Sequence, residues 1–144
     1  MKITKSADFA MRIVLYLAAE NCAYTMPHLA EVLKIPYNNL SKLVQSLSKG
    51  GVLQTRQGKN GGVQLLKPPD QISLKTVLDL IDGPTRLSDC LSDPRFCTLT
   101  HTCKLKGVLA DIQFKIDRLL EETTLTEIQN RGQKETHHVE CTIG

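Results

Sequence analysis

Apolar side chains at Ala7, Ala10, Met11, Val14, Leu17 and Ala18 recur at the spacing of one helical face and predict a first helix over residues 6–20. The polar stretch from Asn21 interrupts it. Thr25 is placed to cap a short second helix in which Leu29 and Leu33 lie one turn apart, ending before Pro36 because a residue ahead of proline is steered out of helical geometry. A third helix follows at once, with Leu40, Leu43, Val44 and Leu47 as its buried stripe and Gly50-Gly51 as its stop. The pattern then changes to two short extended runs, residues 52–56 and 63–66, around a loop containing Asn60-Gly61, the signature of a hairpin. After Pro68-Pro69, Ser73 can cap a fourth helix bearing Leu74, Val77, Leu78 and Ile81 on one face, and Gly83-Pro84 ends it.

Residues 84–104 have no period. From Leu105 a new one begins: Leu105, Leu109, Ile112, Ile116 and Leu119 are spaced 4-3-4-3, a coiled-coil seam that calls for a second helix and so predicts a symmetric homodimer. Thr124 and Glu127 form a capping-box pattern for a last short helix, and residues 131–144 read as a polar tail. The fold class is mainly α with a small β-hairpin. A winged helix-turn-helix domain spans 1–83, a cysteine-containing loop 84–104, a dimerisation helix with a short terminal helix 105–130, and the tail 131–144.

Composition narrows the class. At 144 residues, 41% hydrophobic and 23% charged, the chain suits one globular domain with an appendage and excludes fibrous and disordered readings. Its longest apolar run, residues 13–19, is far short of a membrane span, and the N-terminus lacks a signal-peptide core, so a cytoplasmic protein is expected, with no membrane partner. Charge is split along the chain. Residues 1–67 hold nine Lys/Arg and three Asp/Glu, a net of +6, whereas residues 68–144 hold nine and twelve, a net of −3. A basic front half suits a polyanion.

Helix, helix, tight turn, helix and basic hairpin is the order of a winged helix-turn-helix, whose third helix enters the major groove of double-stranded DNA while the wing touches the flanking backbone. Off its apolar stripe the third helix carries no acid. Asn38, Asn39 and Ser41, near its start, are the expected base readers, since amides pair with adenine edges. Lys42, Lys49 and Lys59 are the expected phosphate contacts, with Arg56 and Gln57 on the wing beside them.

Five cysteines in a reducing compartment are not a disulfide framework. Cys90, Cys97 and Cys103 fall inside the aperiodic segment, six and then five residues apart, a spacing unlike the paired cysteines of common zinc modules. Three thiolates can hold zinc with a fourth ligand, for which His101 is nearest, or three irons of a cluster that leaves the fourth iron an exchangeable ligand. Cys22 and Cys141 read as ordinary thiols. A cysteine nucleophile near His101 would make an enzyme, but no orienting acid or catalytic motif accompanies the pair, so no enzyme is expected.

The opening residues 1–5 leading into Asp8-Phe9-Ala10-Met11-Arg12, the wing Gly58-Lys59-Asn60-Gly61-Gly62-Val63, Lys67-Pro68 and the three spaced cysteines before a long helix are familiar together. Over residues 1–130 the sequence resembles the NsrR/IscR family of winged helix-turn-helix iron-sulfur transcription repressors, most of all its nitric-oxide-sensing branch. The resemblance implies a homodimer crossed through the long helix, an imperfect palindromic operator, and an iron-sulfur cluster, 4Fe–4S ahead of 2Fe–2S, on Cys90, Cys97 and Cys103. Asp8 matches a position where some members supply the remaining ligand from the partner subunit. Two departures stand out: Lys106 occupies the place of the histidine some members use, and Gln57 that of an arginine ahead of the first wing glycine, with Arg56 one residue earlier. The expected function is a repressor whose operator affinity follows a cluster that senses nitric oxide. Its rivals are an iron, redox or cluster-status sensor of the same family and a zinc-stabilised constitutive DNA-binding protein.

Overall fold

Local caps decide where most helices begin. In a computed structural model, which describes residues 2–99 and 102–132, Thr4 Oγ1 accepts the Ala7 N–H at 3.1 Å and starts α1 (Lys5–Glu20). Thr25 does the same for α2 (Met26–Leu33) through His28 N–H, and Ser73 for α4 (Leu74–Asp82) through Thr76 N–H. Both caps are those expected from the sequence. Between α2 and α3 (Tyr37–Lys49) the chain turns through Lys34, left-handed at φ 54°, Ile35, and Pro36. A left-handed Lys costs about 1–2 kcal/mol. The turn drives Ile35, 2% exposed, into the core, which offsets that cost.

The core is built on α1, whose Ala7, Ala10, Ile13 and Val14 are fully buried and which packs against α3, α4 and α6. The stripe Leu40, Leu43, Val44 and Leu47 of α3 is buried as expected. After Gly50-Gly51 the chain enters β1 (Leu53–Arg56), paired antiparallel with β2 (Gly62–Leu65) in the register Leu53 with Leu65 and Thr55 with Val63. The strands are shifted by about one residue from the expected runs. Val52 serves the ladder only through its carbonyl, which accepts the Leu66 N–H at 2.9 Å.

One element was not foreseen. Tyr24, in the α1–α2 link, pairs with Val63 through two backbone hydrogen bonds, 3.0 Å from Tyr24 N–H and 2.7 Å from Val63 N–H, so the wing has a third, single-residue strand at its base. Gly62 permits this approach: a Cβ there would stand 2.7 Å from the Tyr24 carbonyl oxygen.

Helix α5 (Lys104–Glu122) follows the cysteine segment, and α6 (Leu125–Gly132) turns back onto the front of the chain. Leu74 N–H donates to Thr123 O and Leu125 N–H to Ile72 O, each at 2.9 Å, and Leu125 is wholly buried. Thr124 caps α6 as its sequence suggests, accepting the Glu127 N–H at 3.3 Å. Among the described residues no helix is long and apolar enough to cross a membrane. The tail, including Cys141, lies outside the described residues beyond Gly132.

Candidate nucleic-acid interface and metal-ligand segment

On α3 the non-stripe residues Asn38, Asn39, Ser41, Lys42 and Lys49 are all exposed, and so are Arg56, Gln57 and Lys59 on the wing. From residue 32 to residue 69 the sequence holds six Lys/Arg and no Asp or Glu. Among the described residues no carboxylate forms an ion pair with Lys42, Lys49, Arg56 or Lys59. Their charge is therefore not spent on carboxylates of the described residues and is open to phosphate. The register puts Arg56 opposite Gly62, on the face shared by Gln54 and Gln64 and away from buried Leu53 and Val63. A hydrogen bond from Val52 N–H to Leu47 O, 2.9 Å, ties the end of α3 directly to the hairpin.

Sequence patterning missed a feature at the start of α3. Its N-cap is Pro36, and no side chain caps the first turn, which leaves the leading backbone N–H groups open at the positive end of the helix dipole. Proline before a polar first turn was the available signal.

At the wing base, Tyr24 stacks on His28 with ring centroids 4.7 Å apart, and Tyr16 OH lies 3.1 Å from His28 Nε2. Burial, reinforced by the Glu20 carboxylate, raises the Tyr24 phenol above its ordinary value and keeps it neutral.

Three thiols lie in the segment between α4 and α5. Cys90 is in a 3-10 turn (Asp89–Leu91) with Sγ 3.2 Å from Ser88 Oγ, Cys97 follows in the loop, and Cys103 is the N-cap of α5 with no side-chain capping bond. All are half-buried, and none is in a disulfide. Cys22, by contrast, lies at the end of α1 with its Sγ 2.8 Å from the Glu20 carbonyl oxygen. Among the described residues no three His, Cys, Asp or Glu side chains are close enough to hold a metal ion, so the protomer does not preassemble the expected ligand set. His101 lies outside the described residues. Asp8 sits on the first turn of α1 and pairs with Arg12 at 2.7 Å, both side chains about half exposed.

The donor set nevertheless fits an iron-sulfur cluster in kind: three soft sulfur ligands on one short stretch. No residue from 83 to 99 is buried, so the segment has no core of its own to hold the thiols apart.

Most of the chain is similar to known proteins. Residues 3–131 match the Rrf2 family, described as an iron-dependent transcriptional regulator. The chain belongs to the Rrf2 family. It is 32% identical over 131 residues to the HTH-type transcriptional regulator NsrR of Halalkalibacterium halodurans, covering 89% of this chain and 90% of that one. To the regulator of the same name from Shouchella clausii it is 30% identical, covering 89% and 88%. Its fold is similar to that of CymR, the global cysteine regulator of B. subtilis, with a TM-score of 0.75 at 20% identity over 91% of this chain and 98% of CymR. The IscR of T. potens gives 0.74 at 16% identity over 96% and 93%. This Rrf2 protein is thus a DNA-binding transcription regulator and not an enzyme, with the winged helix fold expected from its sequence.

Proposed function

We propose that this chain is a homodimeric repressor that binds an imperfect palindromic operator and whose affinity is set by an iron-sulfur cluster responsive to nitric oxide. The observation that carries the reading is the placement of three half-buried thiols in a coreless segment between the winged helices and α5. Cys90, Cys97 and Cys103 would hold the cluster, with Asp8 of the partner subunit as the remaining ligand. When bound, the cluster supplies an iron site without a cysteine ligand, where nitric oxide can react.

The chain's own residues supply the rest. Release of Asp8 from Arg12 is inexpensive, since an exposed i,i+4 pair contributes only about 0.3–0.5 kcal/mol. The seam on α5 is available to a second copy: Leu105, Ile112 and Leu119 are 60, 42 and 64% exposed, while Leu109 and Ile116 are partly covered by their own protomer. Val108, 54% exposed, extends that stripe. Asn38, Asn39 and Ser41 read bases in this scheme. Lys42, Lys49, Lys59, Arg56 and Gln57 hold the backbone. Two half-sites are engaged together only when the two α3 helices are correctly separated, so a rearrangement of the segment that moves α5 changes affinity.

The test is anaerobic purification with assay of iron, zinc and acid-labile sulfide, then operator titration before and after nitric oxide. Iron and sulfide lost in Cys97→Ala, with affinity that falls on nitric oxide addition, support the reading. Zinc alone, or no metal after cluster reconstitution, refutes it, and an iron-loaded protein indifferent to nitric oxide moves the signal to iron or redox state.

A further inference from the structure

Gln113 is the one buried polar residue among those described, and the one buried residue of α5. Its amide is fully used. Leu87 N–H donates to Oε1 at 2.8 Å, and Nε2 donates to Thr85 O at 2.9 Å and to Asp117 Oδ1 at 3.1 Å. Accepting from one residue and donating to the carbonyl two positions earlier is what a neighbouring strand would do. The side chain thus reads the backbone of residues 85–87 as a strand edge reads its partner. Asp117, one turn along α5, accepts only, and so sets which end of the amide faces Leu87.

The location gives this bond set its meaning. Leu87 lies three residues before Cys90, and Cys103 is itself the N-cap of α5. The cysteine segment is therefore fastened to α5 twice, by covalent continuity at its end and by Gln113 near its start. Gly83 and Pro84, just upstream, would otherwise leave the front end loose. From Lys104 to Gln113 the helix rises about 14 Å, so the two anchors define a fixed span.

We infer that Gln113 is a positioning residue that latches the front of the cysteine segment onto α5, so that a change of ligation among the cysteines moves the helix instead of being absorbed by slack around Gly83-Pro84. The purpose of that latch rests on the cluster reading above, but its existence as a mechanical unit does not. A buried amide could fill the same space as leucine, so Gln113→Leu keeps shape and removes all three bonds. Gln113→Glu keeps the acceptor for Leu87 and removes the donors.

Hydrogen exchange on the full-length protein is the first measurement. Gln113→Leu should raise exchange in residues 84–90 about tenfold or more while α1 to α3 are unchanged, with Gln113→Glu at least as large because its buried carboxylate would face Asp117 and the Thr85 carbonyl. Unchanged protection in residues 84–90 overturns the latch. If Gln113→Leu does not fold, as judged by its thermal melt, Gln113→Met, which is neutral, flexible and also without the amide, decides the same question. The second measurement compares operator affinity before and after nitric oxide at matched iron and sulfide content. A smaller fold-change in Gln113→Leu than in wild type is expected, and an equal one overturns the coupling role. A wild type without cluster or response defeats the function proposed above and the coupling role with it, whereas the exchange result still decides whether the latch exists.

Discussion

Gly62→Ala is the sharpest probe of how the wing is held. A methyl at residue 62 would stand 2.7 Å from the Tyr24 carbonyl oxygen and 2.9 Å from its carbon, both backbone atoms that cannot swing aside as a side chain can. The same oxygen accepts the Val63 N–H at 2.7 Å, so relief of the clash breaks that bond and strands a donor on a residue 1% exposed. Overpacking and the stranded donor together are expected to destabilise the fold by about 2–4 kcal/mol, against a total of about 5–15. Gly58→Ala is the control. Gly58 also has a positive φ, 106°, but nothing lies within 4 Å of its Cβ position, so only backbone strain of about 1–2 kcal/mol is added. The chain has no tryptophan, so urea unfolding is followed by circular dichroism, at one protomer concentration for all variants. Operator affinity of Gly62→Ala should fall as well, because the hairpin no longer sits in register beside α3. Equal losses in the two variants would refute the idea that the Tyr24 pairing anchors the wing.

Lys42→Gln and Lys59→Gln should weaken binding to any duplex and lower the salt dependence by about one unit each, whereas Asn39→Ala should lose about 1–3 kcal/mol of discrimination at one base pair. Anisotropy titrations across salt and across singly substituted duplexes separate the two, and a sequence-independent loss for Asn39→Ala would contradict base reading. Ile112→Asp places two carboxylates in a symmetric seam and should weaken dimerisation by at least about 3 kcal/mol, leaving the protomer folded because Ile112 is 42% exposed; a dimer that survives in sedimentation equilibrium would count against the seam. The Lys75 ammonium is held above its ordinary 10.5 by its hydrogen bond to Asp79, with burial opposing and Asp79, Asp117 and Glu121 adding charge. Tyr24 is likewise held above 10.0 by burial and Glu20. Both folded values are raised, so both contributions are complete below the unfolded values near pH 10 and are lost as pH rises through the folded ones. Lys75→Met and Tyr24→Phe should each flatten the alkaline fall in urea stability, and an unchanged slope would exclude them as its source.

What the sequence disclosed was local. Caps at Thr25, Ser73 and Thr124 act within three residues of themselves, and the stripe of α3 is a matter of period, so both are legible without knowing the fold. The exposed, acid-free face from Asn38 to Lys59 is legible for the same reason, being what the stripe leaves over. The Tyr24–Val63 pairing joins residues 39 positions apart through backbone alone, and a single bridging residue leaves no alternation to detect. Gln113 sits between seam residues and looks like any surface glutamine until Leu87, 26 positions away, is brought to it. The cysteines are a different case. Their types and spacing are legible in the sequence, but spacing along a segment without a core does not fix their distances, and the described residues of the protomer leave them apart.

The pairing of Thr123 with Leu74 and of Leu125 with Ile72 has a consequence for the grammar of the operator. Helix α5 is not hung from the winged helices by a tether; it is riveted to them at its far end by backbone bonds and a buried leucine. In a dimer joined along α5, the gap between the two α3 helices is then a sum of stiff parts. One base pair inserted between half-sites displaces the second by about 3.4 Å and turns it by about a tenth of a revolution, and with the cysteine segment in one state the fastening at Thr123 and Leu125 gives α5 little freedom to take up either. Such a molecule measures distance along DNA as strictly as it reads letters, and correct half-sites at the wrong interval would be invisible to it.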